Sequence, residues 1–176
     1  MLVYLNPSTN EKNEFYGGGN EERYMNEIAD AMVAYLGIAG IRFERNDPKD
    51  TLDTIIRKVN EKNFDLIISL YATDGGNDVQ RGPDISYYAF SEQGSNLTYN
   101  ISTELYVIHP LPMSISILPS VERPILTRTR AVSVIVDLGN SKSIEDAEWI
   151  RNNIYSIGRR LVFAIEHYFG LPEKLI

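Results

Sequence analysis

Apolar residues along the chain follow two periods. Met25, Ile28, Ala29, Met32 and Leu36 recur every three or four positions, which places them on one buried face of a helix. Leu52, Ile55, Ile56 and Val59 repeat the pattern and predict a second amphipathic helix, capped by Asp50 or Thr51. Residues 64–71 and 131–137 are short, near-continuous apolar runs, as expected of parallel strands covered on both faces. Residues 2–5 read as a buried first strand stopped at Pro7, residues 41–45 as a half-exposed strand, and residues 85–90 as another. A helix over 95–107 is weakened by its Asn and Thr content, and the proline-punctuated stretch 109–130 has no readable period. Residues 138–141 read as the exit loop of the strand before them. Ser143-Ile-Glu-Asp146 has the capping-box pattern and opens a helical stretch reaching Phe169, with a break near Asn152-Asn153.

Strands alternating with helices predict one α/β domain over residues 1–176, a mostly parallel twisted sheet flanked by helices. Open sheets of this kind bind ligands at the carboxyl ends of their strands. Thr9, Glu21, Tyr71 and Asp137 all fall at such ends or on loops leading from them. The first long helix is entered through Tyr16-Gly-Gly-Gly-Asn20, with Asn20 as N-cap and Glu21 and Glu22 at the positive end of the helix dipole. A glycine-rich helix entry can cradle phosphate, but two carboxylates there repel it. The loop instead holds a glutamate at the lip of a cleft.

The chain contains no cysteine, which removes disulfides, thiolate metal sites and thiol nucleophiles. Its net charge of −7 opposes a nucleic-acid partner. No apolar run is long enough to span a membrane, and no basic secretory leader precedes the first strand. Localisation therefore stays open among intracellular synthesis, export and phage-mediated release. A histidine-based zinc site would need both His109 and His167, and neither lies on a loop that reads as an active site. No Gly-x-Ser-x-Gly elbow occurs.

Each candidate has two readings. Glu21 is a metal ligand or acid–base group, or it only complements the helix dipole. Asp137, ending a buried strand, is a general base or a structural acceptor for loop N–H groups. Tyr71 is a functional phenol or a core aromatic with its hydroxyl satisfied. Asp74, Asp78 and Asp84 gather a hard cation, or they belong to a solvated loop. Asn96-Leu-Thr98 has glycosylation spacing without a secretory context.

Several segments, in order, resemble the zinc-dependent N-acetylmuramoyl-L-alanine amidases, and most of all their clostridial and phage types. They are Leu5-Asn-Pro-Ser8, Gly18-Gly-Asn-Glu-Glu-Arg-Tyr-Met-Asn-Glu-Ile-Ala-Asp-Ala-Met32, Gly40-Ile-Arg-Phe-Glu-Arg-Asn46, residues 64–72 and 132–140, and Glu145-Asp-Ala-Glu-Trp-Ile-Arg-Asn-Asn-Ile154. The resemblance implies an amidase-like fold acting on peptidoglycan, with zinc held by histidine, glutamate and histidine. Glu21 matches the glutamate ligand. Thr9 and Tyr71 stand where the family has histidines, and Asp137 where it has its catalytic glutamate. A threonine hydroxyl and a phenol of reference pKa about 10 are poor partners for zinc. The expectation is a degenerate site without zinc. Thr9, Glu21 and Tyr71 would serve ligand binding, Asp137 would be a withdrawn catalytic carboxylate, and the partner would be a peptidoglycan fragment or another protein. The alternative is an active amidase that hydrolyses the muramic acid–L-alanine amide through an atypical metal site recruiting His109. A third reading is a nucleotide or small-molecule binder using the glycine-rich loop.

Overall fold

Six strands form one sheet: β1 (Leu2–Pro7), β2 (Arg42–Arg45), β3 (Leu66–Thr73), β4 (Asp84–Tyr88), β5 (Ser116–Ser120) and β6 (Val132–Asn140). Their spatial order is β2-β1-β3-β6-β4-β5. All neighbouring pairs are parallel except β4–β6, which is antiparallel. These elements come from a computed structural model that describes residues 1–76 and 82–172.

One face of the sheet is covered by α1 (Glu21–Ala39), α3 (Glu92–Tyr106) and α6 (Ile154–Tyr168), with α5 (Ile144–Asn152) packed beside them. Ile28, Met32 and Leu36 of α1 are fully buried there, each contributing about 2 kcal/mol. The opposite face carries α2 (Leu52–Glu61) and the short α4 (Pro124–Thr127), which pack Ile55, Ile56, Val59, Ile125 and Leu126 over Tyr4, Ile67 and Ile135. No helix among the described residues is long and apolar enough to cross a membrane.

The caps agree with the sequence. Asn20 accepts the backbone N–H of Arg23 at 2.9 Å, and α1 ends at Gly40 in the left-handed conformation. Thr51 caps α2, and Ser143 caps α5 by accepting the N–H of Asp146. The helical stretch after Ser143 breaks at Asn153, as expected.

Three expectations are corrected. β6 runs on through Leu138 and Gly139 to Asn140, where a loop was expected. Gly139 permits this with a φ of 138° against the buried Asp146. The helix expected over 95–107 starts earlier, at Glu92, because Ser91 caps it through the N–H of Gly94. The unreadable stretch after His109 contains the edge strand β5, whose Ile117, Leu118 and Pro119 are exposed and leave no alternating pattern to read.

Candidate functional site

The carboxyl ends of β1, β3 and β6 share one edge of the sheet. Antiparallel β4 brings its first residue there too. Tyr71 lies opposite Asp137 in the β3–β6 register, and Asp84 lies opposite Asp137 in the β4–β6 register. The structure divides this edge into two hollows.

The first hollow, of ≈ 270 Å³, is lined by Ser8, Thr9, Asn10, Asn46, Leu52 and Tyr71, among others. Thr9 is exposed at its rim. Tyr71 is hydrogen-bonded to the Asn6 side chain; burial holds its phenol above the ordinary range, and the nearby Glu21 charge adds to the effect. The phenol therefore stays protonated across the physiological range. Asn46 donates to the carbonyl of Pro7 at 3.1 Å and fixes the β1 exit loop.

Glu21 is bonded to Asn10 of this hollow's lining and is 3% exposed. Its Oε2 accepts from Asn10 Nδ2 at 3.1 Å and from Asn13 Nδ2 at 3.0 Å, and its Oε1 accepts the backbone N–H of Ala72 at 3.2 Å. Asn13 cannot turn its amide away, because Nδ2 also donates to the Ala72 carbonyl at 2.9 Å while Oδ1 accepts from Ser141 Oγ at 2.6 Å. One carboxylate thus joins the entry loop, the start of α1 and the end of β3, and Asn13 extends the network to Ser141 after β6. The glycine run before it supports this arrangement. Gly19 has a φ of 78°, and a Cβ there would stand 2.4 Å from the Tyr24 hydroxyl.

The second hollow, of ≈ 340 Å³, is lined by Thr73, Gly75, Gly82, Asp84, Asp137 and Asn140, with Gly139. Asp137 accepts from the Thr73 hydroxyl, from the Thr73 N–H at 3.1 Å and from the Gly139 N–H at 3.3 Å. Burial raises its pKa most, and the facing charge of Asp84 raises it further against the pull of those donors. Asp84 is raised as well, again chiefly by burial. Its Oδ1 is buried with no hydrogen-bond partner among the described residues.

The four expected site residues therefore occupy one edge but not one cluster. Thr9 and Tyr71 share a hollow, Glu21 is bonded to Asn10 of its lining, and Asp137 faces the neighbouring hollow with Asp84. Of the carboxylates considered as a cation loop, Asp74 turns toward Lys142 at 3.9 Å, Asp84 belongs to β4, and Asp78 lies outside the described residues. His109 is buried against Trp149, with ring centroids 4.5 Å apart, and its Nδ1 accepts the N–H of Leu111. His167 lies 3.5 Å from Glu104. Neither histidine lines either hollow. Asn13, Asn10 and Ser141 were missed from sequence. Their only signal is polar identity: Asn10 and Asn13 lie on the loop just before Glu21, and Ser141 reaches the network through Asn13.

A zinc centre of the kind the family resemblance implies does not fit these residues. Thr9 and Tyr71 offer neutral hydroxyls where zinc takes imidazole, thiolate or carboxylate, and Glu21, already accepting three N–H bonds, is the one carboxylate ligand left. Among the described residues, no group of three or more His, Cys, Asp or Glu is placed to hold a metal ion.

The chain has the fold of the N-acetylmuramoyl-L-alanine amidases. It is similar to the CwlD amidase of Clostridioides difficile, solved in complex with the GerS lipoprotein, at a TM-score of 0.85 and 11% identity over 96% of this chain and 98% of that one. It is similar to the amidase Ami1 of Mycobacterium smegmatis at a TM-score of 0.82 and 18% identity, covering 97% of each chain. The amidase AmiC2 of Nostoc punctiforme gives a TM-score of 0.81 and 18% identity, again over 97% of each. No family model matches the sequence, and no curated protein matches it.

Proposed function

We propose that the protein uses the amidase fold to bind peptidoglycan fragments without cleaving them, its zinc centre having been replaced by a hydrogen-bonded structural network. The observation that carries this reading is the state of Glu21: buried, and accepting from Asn10, Asn13 and the Ala72 N–H. A carboxylate so satisfied ties the start of α1 to the end of β3, and it needs no ion to justify its burial.

The hollow that Asn10 lines suits a neutral sugar–peptide ligand. Ser8, Thr9, Asn10 and Asn46 supply hydroxyl and amide groups, while Leu52, Ile55 and Tyr71 supply apolar surface. Without a metal to polarise an amide carbonyl and activate water, these groups bind rather than hydrolyse. CwlD was solved with the GerS lipoprotein, so a protein partner is the second reading for a non-catalytic relative of this fold.

Titrating the chain with a muramyl-peptide fragment, followed by NMR, tests the proposal. Saturable shifts at Thr9, Asn46 and Tyr71 are expected, with roughly tenfold weaker binding for Tyr71→Ala. No binding, or turnover of the fragment, overturns it.

A further inference from the structure

Residues 93–121 carry one charged side chain, Glu104, in a chain of net charge −7. Glu104 is buried, with its carboxylate 3.0 Å from Arg160 and close to His167. The surface built by this stretch is uncharged, and much of it is apolar, with Ser102 and Thr103 among the neutral polar groups. Tyr99, Tyr106 and Val107 from the outer side of α3 adjoin Leu111, Met113 and Ile117 on the approach to β5 and on β5 itself, and all six are exposed. Met113 is 88% exposed and Tyr99 66%, high values for side chains of this type. Tyr99, Tyr106, Met113 and Ile117 line one shallow groove of ≈ 320 Å³. A soluble monomer rarely leaves so much contiguous apolar surface open.

We propose that this face is the self-association surface of the protein, and that its occupant is a second copy of the same chain related by a two-fold axis. Three observations point to a second copy. The exposed area of the six side chains is on the order of 700 Å², close to the roughly 800 Å² per partner of a stable specific interface. Charge is the second. Copies of net charge −7 repel each other over most approaches, and here they meet with no charge apposed. Tyrosine and methionine are also the residue types enriched where such surfaces are buried.

The third observation is the way β5 limits the mode of contact. Ser116 donates its N–H to Pro83 and the Ser120 carbonyl accepts from Ala89, so the even-numbered residues of β5 bond inward to β4. Ile117 and Pro119 therefore turn their backbone to the free edge, and Pro119 has no N–H to offer there. Open-ended strand addition loses a donor at the edge and is disfavoured. Side-chain packing of α3 and the β5 approach remains, and this gives a closed, isologous dimer.

Sedimentation of the full chain at micromolar concentration tests the proposal, alongside Met113→Glu, Tyr99→Glu and the control Tyr155→Glu, which alters an exposed tyrosine at the start of α6. A dimer is expected for the parent chain and for the control. Each of the two face variants should associate at least about tenfold more weakly, because each places two carboxylates in the interface. Unchanged far-UV circular dichroism is expected for these exposed sites, so a loss of dimer reports the contact and not the fold. A monomeric parent chain overturns the proposal. So does a dimer that withstands both face substitutions, or one that dissociates with Tyr155→Glu.

Discussion

Glu21 is the residue on which the site turns, and its chemistry follows from its partners rather than its place in the sequence. Replacing it by alanine leaves the Asn10 amide and the Ala72 N–H without this acceptor and the Asn13 amide with the Ala72 carbonyl alone. That change should cost about 3 kcal/mol in urea denaturation, with no recovery on adding zinc. A loss below about 1 kcal/mol would show that the network contributes little. Asp137 makes a second residue-scale prediction. Burial and Asp84 raise its native pKa above the usual carboxylate value, so the native state holds its proton longer than the unfolded chain does. This contribution to stability is fully present below about pH 4 and is lost as pH rises through the native pKa. Relative to Asp137→Asn, the parent chain should therefore lose stability between mildly acidic and neutral pH. Paired denaturation series across that range measure it, and parallel curves would contradict it. His109 behaves oppositely. Burial lowers its pKa, so its stabilising contribution is present above about pH 6.5 and falls away as pH drops through the lowered native value. A histidine resonance titrating below the ordinary range is the check.

At the scale of elements, much was legible in the sequence because it is local. The N-cap Asn20, the αL cap Gly40, the stripe from Met25 to Leu36 and the apolar run of β3 all follow from neighbours within a turn or two. The direction of β4, the existence of β5 and the partners of Glu21 depend on residues far apart in the chain; Ser141 bonds to Asn13 across 128 positions. Thr9, Glu21, Tyr71 and Asp137 lie at or beside the carboxyl ends of β1, β3 and β6, which strand order alone implied. Their division between two hollows was not readable, because it depends on antiparallel β4 delivering Asp84 opposite Asp137. The crossing of α1 and α6 was hidden for the same reason. A Cβ at Gly158 would stand 2.7 Å from Ala31 Cβ and 3.1 Å from the Ile28 carbonyl. Gly158→Val should separate the two helices and cost about 3 kcal/mol, seen as a lowered denaturation midpoint; a change within about 0.5 kcal/mol would mean the crossing adapts.

At the scale of the whole molecule, the chain keeps the fold of N-acetylmuramoyl-L-alanine amidases over nearly its full length, at 11% to 18% identity with the three named above. At one edge of the sheet, side-chain amides meet a buried glutamate, and neither described histidine lines the two hollows. Packing holds the fold, and the chemistry of the edge is free to diverge from it. The most direct test is metal analysis of the purified chain after equilibration with zinc and desalting, run beside a muropeptide cleavage assay on the same sample. The expected result is no stoichiometric zinc and intact muropeptide; one tightly held zinc per chain together with cleavage of the muramic acid–L-alanine amide would contradict it.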